Sequence, residues 1–259
     1  MMEILTYFFI YSFIGWILES VSKSILQKKV INSGFLYGPF CYIYGIGALI
    51  MLFAFKPIHN NYVLLFFVSI VVMSTWEVIV GIFLEKVFKT KYWDYSENKF
   101  NFKGYICLKN SICWGVLTIA FINFVHPFVE KQLIKIPQNI VFGIISVILL
   151  VNVIDTVLTI VKLKKINIKL ENLNRISESI KEKLEQIKEM SGKRMTTETL
   201  QKVVDELREK QKELKEKVER QTKRLLKVFP NIKSDNFTKY LSERYNNIKE
   251  DIKNRTENK

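Results

Sequence analysis

Five stretches of the chain are almost wholly apolar, and each is close to the length of a membrane-spanning helix. They lie at residues 4–22, 38–55, 62–84, 108–125 and 140–161. A helix needs about 20 such residues to cross the roughly 30 Å hydrocarbon core of a bilayer. Pro57, Pro127 and Pro137 stand in the polar connectors, where a helix is expected to end. The pattern predicts an all-α, polytopic membrane protein with about five transmembrane helices, of which the second is short and interrupted by Gly45 and Gly47.

The pattern changes to a seven-residue repeat after residue 161. Apolar residues first recur every seven positions, at Ile166, Leu173, Ile180 and Ile187. Beyond Gly192 the spacing alternates between four and three, through Leu200, Val204, Leu207, Gln211, Leu214, Val218, Gln221, Leu225 and Val228. Heptads flanked by charges are typical of coiled coils. We therefore predict a helical coiled-coil hairpin that turns at Ser191 and Gly192, with an intermolecular coiled coil as the alternative.

The repeat ends at Pro230, and a short amphipathic helix is predicted to begin at Ser234. Its apolar face would be formed by Phe237, Tyr240, Leu241, Tyr245 and Ile248. The sequence thus predicts three parts: a transmembrane domain at 1–161, a cytosolic hairpin at 162–230, and a short amphipathic helix with a tail at 231–259.

Composition separates the chain into the same two main parts. The chain has 39 Lys+Arg and 25 Asp+Glu, a net charge of +14, and residues 162–259 hold 27 of those cations and 17 of those acids. The first part is too apolar for water and the second too polar to bury much, so a single globular core is excluded. In the tail, cations alternate with acids and no aromatic stacking surface accompanies them. This pattern argues against nucleic acid as a partner.

The lysines of the connectors predict the orientation in the membrane. Twelve lysines lie in the connectors at 23–34 and 86–107 and directly after the fifth stretch, whereas three lie in the other connectors. Cytoplasmic loops carry the excess of Lys and Arg. We therefore expect a multi-pass protein of the cell membrane, with its N-terminus outside and its C-terminal tail in the cytosol.

Acidic residues inside the apolar stretches are the first candidates for function, because a carboxylate at mid-bilayer costs about 2.5–3.5 kcal/mol on insertion scales. Glu77 lies near the middle of its stretch, with Gly81 and Glu85 on the same helical face, while Glu19 and Asp155 lie toward the cytosolic ends of theirs. Together they predict a cytosol-facing polar vestibule, and Asp94 and Asn101 complete the set of candidate functional residues. For Glu19 and Glu85 the alternative is simple contact with interfacial water, and for Asp155 it is interhelical hydrogen bonding.

The connector at 86–107 is the most distinctive segment, since it crowds aromatic residues around Asp94, Asn101 and Gly104. An interfacial aromatic belt accounts for the aromatics. It does not account for the acid, the amide and the glycine, which favour a fixed turn or a re-entrant structure.

The sequence contains no metal, redox or ATP-binding motif. Cys41, Cys107 and Cys113 are odd in number and lack ligand spacing, and His59 and His126 are isolated. The chain also has no P-loop of the form Gly-x-x-x-x-Gly-Lys-Ser/Thr. We expect no cofactor, no metal and no enzymatic activity.

Across residues 5–160 the chain resembles the CmpB-like family of ABC-transporter permeases. The resemblance is carried by residues spread over the apolar half, namely Gly15, Trp16, Glu19, Gly34, Gly38, Pro39, Tyr44, Gly45, Glu77, Gly81, Glu85, Lys86, Trp93, Asp94, Tyr95, Ser96, Phe100, Asn101, Gly104, Ile106, Cys107, Leu108, Ser111, Trp114 and Gly115. Tyr105 departs from the family pattern, in which a basic residue is common at that place. The resemblance implies a bacterial multi-pass membrane protein of the permease type.

Three functions remain open from the sequence. The first is a transport-type membrane subunit that works with a separate ATPase chain if it is of the ABC type. The second is a membrane-anchored scaffold or sensor that acts through its coiled coil, alone or with a second copy. The third is an intramembrane enzyme acting on lipid-linked substrates, with Glu85 and Asp94 as acid and base. The lipid bilayer is a partner in all three.

Overall fold

A computed structural model describes residues 2–189 and 194–228, and this part of the chain is almost entirely helical. The helices are α1 (Met2–Gln27), α2 (Tyr42–Ala54), α3 (Tyr62–Phe88), α4 (Leu108–Ala120), α5 (His126–Leu133), α6 (Gln138–Glu189) and α7 (Arg194–Val228). Two short strands, β1 (Asn101–Phe102) and β2 (Ile106–Cys107), pair antiparallel between α3 and α4. The predicted all-α membrane architecture is confirmed.

Four helical units are long and apolar enough to cross a membrane. They are Met2–Gln27, Tyr62–Phe88, Leu108–Leu133 and Gln138–Lys183. The third consists of α4 and α5, which a π-helical turn at Phe121–Val125 joins without a break. Pro127 stands at the start of α5, directly after the π-helical turn, and it has no N–H to donate to that turn.

The second apolar stretch differs from the other four. Its helix α2 has 13 residues, starts at Tyr42 instead of residue 38, and is about 20 Å long at 1.5 Å per residue. Residues 28–41 are not helical and lie along α1, since Ser24 and Ser20 accept the N–H groups of Ile31 and Ser33 and the Cys41 N–H donates to the Ser12 carbonyl. Because residues 28–41 run back along α1, we call them the re-entrant segment.

The re-entrant segment is hydrogen-bonded to one face of α1. Backbone without regular structure is tolerated at membrane depth only where protein satisfies its polar groups. Ser12, Trp16, Ser20 and Ser24 are spaced four residues apart and therefore form one face of α1, and each makes a hydrogen bond to this segment through its side chain or its carbonyl. This face replaces the sheet or helix partners that the segment lacks.

The main apolar core joins α1, α2, α3 and the π-helical turn. Tyr7, Met51, Phe55, Leu65 and Met73 are buried in it, and Phe121 and several residues of α5 complete it. The end of α2 therefore lies at the same end of the bundle as the start of α1 and the start of α3. Large apolar side chains on the outer faces, such as those along 140–158 of α6, are exposed in the protein alone, as expected for surfaces that contact lipid.

Helix α6 runs without interruption from its apolar part into a polar arm. At 52 residues it is about 78 Å long. Helix α7 lies antiparallel against the polar part, since Lys169 contacts Gln221 and Gln211 contacts Ser177. We call residues 162–189 and 194–228 the arm. The predicted turn at Ser191 and Gly192 and the predicted helix from Ser234 lie outside the described residues.

The base of the arm is packed onto the rest of the protein. Leu163, Ile166 and Leu170 of α6 and Val218 of α7 share a buried cluster with Phe88 at the end of α3, with Tyr92 and Phe35 in the same cluster. Asn167 donates to the Phe88 carbonyl over 2.7 Å and so satisfies one of the carbonyls left free at the end of α3.

Candidate functional site

Glu77 is a buried carboxylate held by uncharged donors. Its residue is 6% exposed, and its Oε2 accepts the indole N–H of Trp114 over 2.7 Å. The side chains of Asn110 and Tyr95 also lie close to it. Among the described side chains, no Lys, Arg or His lies within ion-pairing distance of this carboxylate. Glu77 therefore has a hydrogen-bond donor but no counter-ion among the described side chains.

Glu19 of α1 has a cationic partner one helical turn further along. The Lys23 Nζ lies 2.6 Å from its Oε1, and its Oε2 accepts the Cys41 thiol over 3.4 Å. Both groups are partly shielded, with about a fifth of each side chain exposed. Glu19 is thus neutralised at the boundary between α1 and the re-entrant segment.

Tyr44 of α2 lies near both carboxylates. Its phenol interacts electrostatically with Glu19 and Glu77, and its ring is 6.1 Å from that of Trp114. Close contact of α1 and α2 requires Gly15, because a Cβ there would lie 2.3 Å from the Tyr44 Cβ. We call Glu19, Tyr44, Glu77, Tyr95 and Trp114 the acidic cluster.

Glu85 lies two turns beyond Glu77 and belongs to a different group of contacts. Its Oε2 accepts the Tyr105 hydroxyl over 2.6 Å, and the Trp93 indole donates to the Tyr105 carbonyl over 2.9 Å. Gly81 leaves room for this arrangement, since a Cβ there would be 2.8 Å from the Tyr105 ring. The hydrogen bond to Glu85 raises the pKa of Tyr105 to about 12.

Asp94 and Asn101 hold the connector between α3 and α4 in a fixed turn. Asp94 accepts the Ser96 hydroxyl over 2.5 Å and lies 3.0 Å from the Lys91 Nζ. Asn101 donates to two carbonyls of the connector and accepts the Gly104 N–H over 3.1 Å. Gly104 has a φ of +71°, and a Cβ at this position would lie 2.1 Å from the Asp94 carboxylate, so only glycine fits without strain. The geometry matches the fixed turn that the sequence favours.

Asp155 connects α6 to the re-entrant segment. Its carboxylate accepts the Tyr37 N–H over 3.2 Å and the Gly38 N–H over 2.7 Å. Near it, the Tyr42 hydroxyl contacts Asn152 and Thr156.

The predicted site residues therefore fall into several groups. Glu19, Glu77 and Trp114 come together in the acidic cluster, while Asp155 and Glu85 lie in separate hydrogen-bonded groups. Trp16 donates to Asn32 of the re-entrant segment over 2.6 Å and so supports that segment instead of the cluster.

Two members of the acidic cluster, Tyr44 and Tyr95, were not predicted from the sequence as site residues. Neither lies on the helical face of Glu19 or Glu77, and only the packing of α2 and of the connector brings them there. Ser12, Ser20 and Ser24 of α1 are visible in the sequence as polar residues on one helical face. Such spacing fits a helix–helix contact equally well.

In the described part of the chain, His, Cys, Asp and Glu form no group of three that could hold a metal ion.

Comparison with known proteins identifies one family. A family model described as "Putative ABC-transporter type IV" (ABC_trans_CmpB) matches residues 6–160, which is more than half of the chain. The match spans α1 to the apolar part of α6 and confirms the resemblance carried by the motif residues. Neither the curated proteins nor the solved structures contain a match.

Proposed function

We propose that this chain, which belongs to the ABC-transporter type IV (CmpB) family, is the membrane-spanning subunit of a transporter with the acidic cluster on its translocation pathway. The observation that carries the proposal is Glu77, a buried carboxylate inside a membrane-spanning helix with no cation of the described chain to neutralise it. Such groups are costly in a membrane and mark pathways for ions, protons or substrates. A cationic group in transit, a proton included, would supply the missing charge.

The proposed topology has five crossings, with the N-terminus outside and the arm in the cytosol. The short helix α2 and the re-entrant segment together form the second crossing. The position of Phe55 beside Tyr7 and Leu65 supports this, because α2 then ends on the side where α1 starts. The excess of lysines in the connectors at 23–34 and 86–107 supports the cytosolic side for the arm.

Energy for transport would come from a separate ATPase chain that docks on the arm. Two hydrogen bonds join the arm to the helices bearing the two carboxylates. Asn167 binds the end of α3, and Lys23 of α1 donates to the Val228 carbonyl at the end of α7 over 2.9 Å. Because Lys23 also pairs with Glu19, a tilt of the arm would move both α1, which carries Glu19, and α3, which carries Glu77.

Co-purification and enzymology test this proposal. The chain is isolated from its native membrane under mild conditions, and partners crosslinked through a photoreactive amino acid at exposed Lys212 of the arm are identified by mass spectrometry. We expect a P-loop ATPase whose ATP hydrolysis rises when it is reconstituted with this chain. If no ATPase co-purifies, or hydrolysis is unchanged on reconstitution, the ABC-type mechanism is wrong.

A membrane-anchored scaffold or sensor is the second candidate. It is favoured by the arm itself, whose two helices carry many exposed charged residues and pack on each other within one chain, through the pairs Lys169–Gln221 and Gln211–Ser177. In this function the arm binds a partner, and the acidic cluster only holds helices together. We propose no enzymatic activity, since Asp94 and Glu85 are both engaged in structural hydrogen bonds.

A further inference from the structure

The segment that contains β1 and the residue before it, Phe100, exposes two aromatic side chains. Phe100 is 81% exposed and Phe102 is 56% exposed. The backbone adopts φ angles of +52° at Phe100 and +49° at Lys103, which side-chain-bearing residues rarely adopt. The hydrogen bonds of Asn101 keep the turn in this conformation. The turn is therefore held in a conformation that exposes two apolar rings, and exposure of these rings to water would be unfavourable.

The exposed rings continue into a surface that contacts lipid. The Leu108 N–H donates to the Phe100 carbonyl over 3.2 Å, which puts Phe100 at the level of the first residue of α4. Leu108 is 46% exposed and Ile112, one turn further into the membrane, is 43% exposed. One apolar strip thus extends from the turn along the outer side of α4, so the turn lies at the edge of the bilayer.

Three exposed lysines, Lys99, Lys103 and Lys109, accompany this strip in the sequence. The Lys103 Nζ lies 6.0 Å from the centre of the Phe102 ring, so charge and apolar surface are adjacent. Cations close to an anionic leaflet are attracted to its lipid headgroups.

We propose that the turn at 99–109 is a binding site for anionic lipid. Phe100 and Phe102 insert at the headgroup level of the leaflet, and the three lysines bind lipid phosphates. Aromatic rings with adjacent cations fit this boundary, because the rings leave water while the ammonium groups stay in contact with the headgroups. The site is separate from the acidic cluster and does not depend on the transport proposal.

Spin labels test the insertion in the intact protein. Cys113 is exposed and is first replaced by Ala, whereas Cys41 and Cys107 are buried and should not react. A label at residue 100, in bilayers containing phosphatidylglycerol, is compared with labels at exposed Val116 of α4 and exposed Lys212 of the arm. We expect several-fold fewer collisions with a water-soluble nickel complex at residue 100 than at residue 212, and oxygen access close to that at residue 116. Collisions equal to those at residue 212 would overturn the proposal.

Lipid composition tests the charge requirement. The triple variant Lys99→Gln, Lys103→Gln, Lys109→Gln should retain several-fold less phosphatidylglycerol in native mass spectrometry, with retention of phosphatidylcholine unchanged. The matched control replaces three exposed lysines of the arm, Lys202, Lys210 and Lys212, by Gln. Equal loss in both triple variants, or no loss in the first, would contradict a specific site. In the spin-label experiment, a label at residue 100 that is shielded from the nickel complex only after an ATPase is added would show that the turn docks a protein instead of lipid.

Discussion

The indole N–H of Trp114 donates to the Glu77 carboxylate over 2.7 Å, and this contact ties α4 to the middle of α3. Asn110 on the same helix and Tyr95 of the connector also lie close to this carboxylate. The buried carboxylate is therefore surrounded by polar groups that carry no charge. Because uncharged donors orient a carboxylate without neutralising it, the site stays open to a cation.

Replacing Gly15 by Ala should destabilise the protein. A Cβ at this position would lie 2.3 Å from the Tyr44 Cβ, so α1 and α2 must separate, and overpacking of this kind costs about 1–3 kcal/mol. The thermal unfolding midpoint in detergent, followed by tryptophan fluorescence, should fall. Gly143→Ala is the matched control, because no atom of the described chain lies within 4 Å of a Cβ there. Equal midpoints for the two variants would contradict the close helix contact.

Replacing Asp155 by Ala should release the re-entrant segment. The Tyr37 and Gly38 N–H groups would lose their acceptor, and hydrogen bonds typically contribute about 0.5–1.5 kcal/mol each to stability. Hydrogen exchange measured by mass spectrometry should speed up in residues 30–41. Ser146→Ala serves as control, since the Ser146 hydroxyl donates to the Phe142 carbonyl of its own helix. Unchanged exchange in Asp155→Ala would show that the carboxylate does not hold the segment.

The hydrogen bond between Tyr105 and Glu85 predicts a pH dependence. Since the bond raises the pKa of the Tyr105 phenol from 10.0 to about 12, its contribution to stability is complete below pH 10 and is lost as the pH rises through 12. The difference in unfolding midpoint between the wild type and Tyr105→Phe should therefore be largest below the ordinary tyrosine pKa and shrink above it. A Tyr105→Lys variant should keep the contact as an ion pair. A difference independent of pH would contradict the assigned bond.

Shortening the arm tests its proposed docking role. The deletion of 175–188 together with 201–214 removes two heptads from each helix and keeps the base of the arm, where Leu163, Ile166 and Val218 are buried. The unfolding midpoint of the membrane part should stay unchanged. ATPase stimulation should fall, because the proposed docking surface is lost. Activity retained by this variant would show that the distal arm has no docking role.

The apolar pattern predicts much of the fold because bilayer thickness fixes the length of a membrane-spanning helix. The long helix α6 is equally predictable, since no Gly or Pro interrupts it after Gly143. The start of α2 is not predictable in this way. Residues 38–41 are apolar enough for a helix, but their backbone is held by Ser12 and by Asp155, which are remote in the sequence.

The candidate site is predictable only in part, for the same reason. An acid inside an apolar stretch identifies Glu77 and Glu19 directly. The residue pattern does not reveal that Tyr44 of α2 lies near both of them. It also does not reveal that Asp155 and Glu85 belong to other hydrogen-bonded groups. These relationships depend on how α2 and two connectors pack, and such packing is set by contacts between residues as far apart in the sequence as Asp155 and Gly38.

The most direct test of the transport proposal is the substitution Glu77→Gln, which removes the charge and preserves the shape. ATP hydrolysis by the reconstituted complex and function in cells are compared at equal membrane levels with Glu85→Gln, Asp94→Asn and the exposed control Glu130→Gln. We predict that Glu77→Gln uncouples or abolishes activity, whereas Glu130→Gln behaves as the wild type. Wild-type activity of Glu77→Gln would contradict a role for the acidic cluster in transport.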